Sequence, residues 1–293
     1  LYSVKNINNF EQDLIFFQKY YRSIPLELMI SNSRTNKAQP KNSFHLTFDD
    51  GLKEIYTIVT PMLIDRKIDA TFFINTDFLD NKKLFYRHKA SLLINHLKKR
   101  NKEIAKVENI LRDYKAFHQS VEKSILCLKY NNDSIFNDIA DIIDFSFNRF
   151  LKEEKPYLTT KQVKALIDSG YTIGSHSQSH IPFQELSLEK QIDQIADSFK
   201  ILVEKFSINY KAFAIPFNDL GIKNLFFDQL YNVLDIDIYF GTRGMQKDFL
   251  KRNFHRFHLE NKFVNENPED VIKKQYSSTI FDRLRFRNTV IRN

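Results

Sequence analysis

Two short stretches carry residues whose types and spacing could do chemistry. In His45-Leu46-Thr47-Phe48-Asp49-Asp50-Gly51 an apolar, β-rich run ends on two adjacent carboxylates and a glycine. A buried strand continuing through them would place one carboxylate on each face of the sheet, so the chain has to turn there and open the pair to solvent. Neighbouring carboxylates repel and are stable together only with a cation or a proton between them. The second stretch, Tyr171-Thr172-Ile173-Gly174-Ser175-His176-Ser177-Gln178-Ser179-His180, is again a short strand, a glycine, and then two histidines at i and i+4. On one turn of helix that spacing puts both imidazoles on one face, where they can hold a metal at about 2.0–2.1 Å. One carboxylate and two histidines leave coordination positions open for water.

Thr47-Phe48-Asp49-Asp50-Gly51 together with His176-Ser177-Gln178-Ser179-His180 resembles the first two motifs of the polysaccharide deacetylases, the NodB-homology family of carbohydrate esterases (family 4). Tyr157-Leu158-Thr159-Thr160-Lys161-Gln162 through Asp168-Ser169-Gly170 resembles the helix that precedes the histidine motif in that family. Either motif alone arises by chance in a chain of this length; the two in order, each at the end of a strand, form a specific signal.

The resemblance implies three further motifs, and each is altered. Ala214-Ile215-Pro216-Phe217 stands where the family has Arg-x-Pro-aromatic, so Pro216 and Phe217 are kept and Ala214 replaces the arginine that contacts the base carboxylate. Arg243 and Arg256 are the candidates to reach in from a neighbouring strand end, and Arg256 is preferred. The family's groove tryptophan has no counterpart, since the chain has no Trp. Phe217, Tyr239 and Phe240 are the aromatic replacements available. A late strand should end on a general-acid histidine, and Phe254-His255-Arg256-Phe257-His258-Leu259-Glu260 offers two. Strict alternation puts His255 and His258 on opposite faces; His258, nearer the expected strand end, is the choice and His255 the reserve.

What the resemblance implies is an α/β fold, a deformed (β/α) barrel of the NodB-homology type, and a metal-dependent hydrolase acting on C–N bonds of linear amides. It would remove an N-acetyl, or O-acetyl, group from a sugar of a bacterial surface glycan or its precursor. In that reading Asp50, His176 and His180 hold a divalent ion. Zinc suits the donor set best, with cobalt, nickel or iron also compatible. Asp49 is the general base, His258 the acid, and the backbone N–H of Phe217 an oxyanion donor beside Pro216 and Arg256. Two rivals stand beside it. One is a catalytically weakened carbohydrate-binding protein on the same scaffold, motivated by the missing Arg and Trp; the other is a phosphodiesterase in which Asp49 and Asp50 are both ligands.

Composition bounds the rest. A chain of 293 residues, 42% hydrophobic and 27% charged, can fill a full core, and one catalytic domain over 1–293 is the expected organisation. The longest apolar runs fall far short of the roughly 20 residues of a transmembrane helix. Nothing at the N-terminus resembles a leader, yet the chain opens on Leu1. The compartment stays undecided: cytoplasmic or membrane-peripheral, or extracytoplasmic if a leader was trimmed. The single Cys127 excludes an internal disulfide and sits in an apolar helical pattern that predicts a buried thiol. Residues 82–129 carry thirteen Lys or Arg against four Asp or Glu, an excess of nine that exceeds the whole chain's +8. With no nucleic-acid motif present, such a face is either solvated helix surface or a capture surface for an anionic, phosphate-bearing or lipid-linked N-acetylated glycan.

The spacing of apolar residues places these motifs on alternating elements. Ile7, Phe10, Leu14, Phe17 and Tyr21 predict a first amphipathic helix, and 31–42 a loop. Strands are predicted over 43–48, 69–75, 171–175, 210–217, 235–242 and 253–260. Helices are predicted over 54–66, with Ile55, Ile58, Val59, Met62 and Leu63 inward, and over 159–169, 187–206 and 219–232. A last helix begins at Pro268 with Asn267 as cap and leads to an Arg-rich tail. Between about 80 and 156 the alternation stops in favour of helical, Lys-rich and then Asp-rich sequence, a helical insertion following the second barrel strand. It forms either one wall of the substrate cleft or a cap far from the site. His45 reads as a satisfied core histidine, and His88, His96 and His118 as solvent-facing.

Overall fold

Short runs of Phe, Ile, Ala and Thr recur along the chain at the spacing of βα units. The computed structural model describes residues 7–259, 267–284 and 288–292. Helix α1 (Ile7–Tyr20), strand β1 (Arg22–Ser23) and helix α2 (Leu26–Arg34) come first, and β1 pairs in parallel with β2 (Ser43–Phe44). The expected strand 43–48 is therefore split at His45, and β3 (Leu46–Phe48) belongs to the main sheet. There follow α3 (Thr60–Arg66), β4 (Ala70–Ile74), the inserted helices α4 (Tyr86–Leu97), α5 (Ile104–Asp113), α6 (Val121–Cys127), α7 (Asp133–Ile142) and α8 (Phe147–Glu154), then α9 (Thr160–Asp168) and β5 (Thr172–Ser175). The chain continues through α10 (Leu188–Phe206), β6 (Ala212–Ala214), α11 (Asn224–Asn232), β7 (Ile238–Gly241), β8 (Asn253–His255) and α12 (Pro268–Leu284). Among the described residues the main sheet has six strands, β3 to β8 in sequence order, with every neighbouring pair parallel. No described helix is long and apolar enough to cross a membrane.

Parallel strands covered on both faces read as continuous apolar runs, and β4, β5, β6 and β7 are buried at every position. The inner face of the curled sheet packs Phe73, Ala212, Ala214, Ile238 and Phe240 against Ile24 and, from α2, Leu26, Met29 and Ile30. Gly174 is what lets the Phe73 ring lie across β5, because a Cβ there would come within 2.3 Å of it. His45, at the split, donates from Nδ1 to the Ile24 carbonyl at 2.8 Å and pairs through Nε2 with Thr71 Oγ1 at 2.8 Å, as a satisfied core histidine does.

By its contacts the chain divides into two compact units, residues 77–158 and the remainder. The first has its own core of Leu93, Val107, Leu111, Ile125, Phe136 and Ile139. Its two ends clasp each other: Asn81 Nδ2 donates to the Tyr157 carbonyl at 3.1 Å, Tyr157 N–H returns to Asn81 Oδ1 at 2.9 Å, and Asp80 N–H donates to the Leu158 carbonyl at 3.0 Å. An inserted unit with adjacent ends interrupts its host with little loop-closure cost.

Several sequence expectations are corrected. The loop over 31–42 begins only after Arg34, since α2 uses Leu26, Met29 and Ile30 at i, i+3 and i+4. The helix after β3 opens with a π-helical turn over Ile55–Val59, whose extra residue buries Ile55, Thr60 and Leu63 and leaves Val59 only partly covered. Cys127 is exposed, because α6 turns Val121, Ser124 and Ile125 inward. His88 and His96 are half-buried, pairing with the Tyr157 hydroxyl at 2.7 Å and the Ile143 carbonyl at 3.1 Å; His118 is exposed. The last strand stops at His255, and Glu260 lies outside the described residues. Thr159 does cap α9 in a reciprocal box with Gln162, and Asn267 Oδ1 accepts the Asp270 N–H at 2.9 Å.

Candidate active site

Asp49 and Asp50 leave β3 at its C-terminal end, and the turn that presents them is left-handed at both Asp50 (φ 68°) and Gly51 (φ 62°). Strand alternation therefore no longer separates the carboxylates. Asp49 Oδ2 and Asp50 Oδ1 lie 3.7 and 3.6 Å from the same atom, His176 Nε2. Gly51 is required both for its φ and because a Cβ would press on Ile74 Cγ2 at 3.0 Å.

His176 and His180 follow β5, but they do not share a helical turn. Ser177 (φ 67°) and His180 (φ 54°) are left-handed, and the loop folds on itself: Ser177 Oγ accepts the His180 N–H at 3.1 Å, and Ser175 Oγ accepts the Ser177 N–H at 3.2 Å. Asn75, buried at the end of β4, donates to the carbonyls of His176 and Ser177, while Gln194 on α10 accepts the Ser179 N–H at 2.9 Å. With Phe217 (φ 61°) the site gathers four non-glycine residues in a sparsely populated backbone region, the kind of strain that clusters where geometry serves function.

The imidazoles are set for binding. His176 donates from Nδ1 to the Ala214 carbonyl at 2.8 Å, which turns the Nε2 lone pair toward the carboxylates. Burial lowers the His176 pKa against the pull of Asp49, favouring the neutral ring. His180 Nε2 is 3.0 Å from Asp50 Oδ1, and the edge of its ring meets Phe217 at a centroid distance of 4.6 Å. One carboxylate oxygen and two imidazole nitrogens thus converge, all within 4.8 Å of one another. A hard-to-borderline O, N, N donor set with one ring fixed from behind suits a divalent ion, and Asp50, His176 and His180 form a candidate metal site.

Asp49 is held differently. Arg256, just past β8, donates from Nη1 to Asp49 Oδ1 at 2.7 Å and from Nη2 to Oδ2 at 2.9 Å, with Nη1 also reaching Thr47 Oγ1 at 2.9 Å. The guanidinium lies over the Phe73 ring, 5.5 Å from its centroid. Burial alone would raise the Asp49 pKa, but Arg256 and then His176 outweigh it and hold the carboxyl below its ordinary value.

The histidines after β7 do not join this group. His255 faces the other side of the sheet, its side chain 2% exposed, with Nε2 donating to Asp248 Oδ2 at 3.0 Å and Nδ1 accepting the Arg243 N–H at 3.3 Å. Arg243 pairs with Asp219 at 3.0 Å, away from Asp49. His258 is exposed, beyond the strand end, and shares no hydrogen bond or ion pair with Asp49, Asp50, His176 or His180 among the described residues. Thr47, Asn75 and Gln194 escaped the sequence reading. Only Thr47, two residues before Asp49 on the same strand face, carried a signal that could have found it.

A family model described as polysaccharide deacetylase matches residues 36–224, more than half of the chain and both motifs of the site. The chain belongs to the polysaccharide deacetylase family. Its activity is that of the family, hydrolytic deacetylation of carbohydrate. The solved structures similar to this deacetylase include the Streptococcus pyogenes deacetylase PplD in complex with acetate, at 16% identity and a TM-score of 0.57 over 92% of this chain and 87% of that one. IcaB from Ammonifex degensii matches at 15% identity and 0.53, over 92% and 88%. A de-N-acetylase from Aggregatibacter actinomycetemcomitans matches at 14% and 0.56, again over 92% and 88%. At these identities the likeness is one of fold. No curated protein matches the deacetylase by sequence.

Proposed function

We propose that the protein is a divalent-metal-dependent deacetylase that cleaves the N-acetyl group of a bacterial surface glycan or its precursor. The observation that carries this reading is the convergence of Asp50, His176 and His180 next to a separately clamped Asp49. Asp50, His176 and His180 would hold the divalent ion, which would supply Lewis acidity for activating water and polarising the acyl oxygen. Asp49, kept ionised by Arg256, takes the proton of the attacking water as the carbon–oxygen bond forms. Phe217, which follows Pro216, would offer its backbone N–H to the developing oxyanion. The proton that lets the sugar amine leave comes from His258. His255 is sealed between Asp248 and the Arg243 amide, which leaves His258 for this role.

Two features weigh against the rivals. Arg256 stands in for the arginine whose absence motivated a binding protein, and a binding protein has no use for a carboxylate held ionised beside a metal site. A two-metal phosphodiesterase needs Asp49 as a ligand, whereas both of its oxygens are taken by one guanidinium. The experiment is acetate release from an N-acetylated glucosamine oligomer before and after chelation. Elemental analysis should find about one divalent ion per chain, lost with activity and regained with added zinc. Full activity in the metal-free protein overturns the reading. The basic insertion fits an anionic or lipid-linked form of the glycan.

A further inference from the structure

At the other end of the main sheet from Asp49 and the histidine pair, an open cleft of about 490 Å3 lies where α2 ends and β8 begins. Arg34, Lys251 and Arg252 line it with Asn36 and Tyr231, and none of its lining residues is acidic. Each cation is already positioned. Arg34 pairs with Asp237, whose other oxygen accepts the Lys211 N–H at 2.8 Å. Arg252 donates from Nη1 to the Ile236 carbonyl at 3.0 Å and lies 5.4 Å over the Tyr231 ring. Lys251 Nζ donates to Asn36 Oδ1 at 2.8 Å. One of the three charges therefore has a carboxylate partner, and the other two rest on neutral oxygens.

We propose that this cleft is an anion site that takes a phosphate group. Two cations without a carboxylate partner, beside the side-chain amide of Asn36, match a doubly charged tetrahedral anion, which accepts from several donors at once. Side chains braced by Asp237, Ile236, Tyr231 and Asn36 need little ordering when the anion arrives. The volume exceeds that of a bare phosphate and admits a sugar phosphate or a phospholipid headgroup. The strands between the cleft and the catalytic end are three to five residues long, so at about 3.3 Å per residue the two sites are at least roughly 10 Å apart. The site is independent of the deacetylation mechanism and would tether a phosphate-bearing glycan or surface while a distant residue of it is processed.

Calorimetric titration of the metal-loaded protein with inorganic phosphate tests this. Lys251→Gln with Arg252→Gln should weaken phosphate binding at least tenfold, with acetate release from the uncharged oligomer unchanged. Lys251→Glu, which alters a single exposed side chain, should weaken it as much. Lys190→Gln with Lys200→Gln, exposed on α10, should leave it unaltered. Unaltered binding in both cleft variants, an equal loss in the α10 control, or no binding by the wild type overturns the proposal. Sedimentation with phosphatidylglycerol vesicles, against phosphatidylcholine vesicles, separates the sources. Wild-type capture lost in the cleft variants assigns the site to a lipid headgroup, and phosphate binding without vesicle capture assigns it to a soluble phosphorylated glycan.

Discussion

Arg256 clamps both oxygens of Asp49 across the seam of the sheet, at 2.7 and 2.9 Å, joining the end of the last strand to the end of the first. The same guanidinium restores a charge partner that Ala214 cannot supply. Its position rests on Phe73, and Phe73 in turn rests on Gly174.

Replacing Arg256 by Gln removes the cation that favours ionised Asp49. The Asp49 pKa should then rise, and the acid limb of the kcat/KM profile should move to higher pH. Metal content should stay at the wild-type level, because Asp50, His176 and His180 are untouched. A pH profile with its acid limb unmoved would show that Arg256 does not tune the base.

On the opposite face of β8, Asp248 accepts from His255 and from both terminal nitrogens of Arg292, and the latter pair is almost fully buried. Burial pushes the Asp248 carboxyl up, but His255 and Arg292 together bring it far below its ordinary value. A depressed carboxyl contributes stability that is fully present above its unfolded pKa of about 3.9 and is lost as pH falls toward the folded value. Asp248→Asn should flatten the acid limb of the stability curve below about pH 4. At neutral pH, leaving Arg292 buried without its carboxylate should cost about 3–5 kcal/mol. Chemical denaturation at pH 3 and pH 7 reads both effects, and equal losses at the two pH values would contradict them.

The two late histidines should separate kinetically. His258→Ala should remove the basic limb of the pH–rate profile, since that limb reports loss of the protonated acid, and leave thermal stability within about 0.5 kcal/mol as for an exposed side chain. His255→Ala should do the reverse, lowering Tm while keeping the basic limb. The exchanged outcome would move the acid to His255.

The chemistry was more legible in the sequence than the geometry that arranges it. Asp49, Asp50, His176 and His180 announce themselves by type and spacing, and βα alternation is enough to predict a parallel sheet. The turn that opens the carboxylate pair is legible in Asp49-Asp50-Gly51, but the i, i+4 spacing of the histidines suggests one helical turn, and that turn does not form: Ser177 and His180 adopt left-handed backbone, and Asn75 holds the loop by donating to the Ser177 carbonyl. Strand lengths were overestimated at β6 and β8: β6 ends at Ala214, two residues before Pro216, which has no N–H to give the ladder, and β8 ends at His255. Choosing between Arg243 and Arg256 required knowing which strand end faces Asp49. Alternation supports Arg256 only once its face is fixed, and Arg243 is drawn off by Asp219.

The most direct test of the account is Asp49→Asn, assayed for acetate release and for bound metal in the same preparation, with His176→Ala beside it. Asp49→Asn should keep its metal and lose about 10²–10⁴-fold in kcat, while His176→Ala should lose metal and turnover together. An Asp49→Asn protein that turns over like the wild type, or that releases its metal, would contradict the division of labour between the two neighbouring carboxylates.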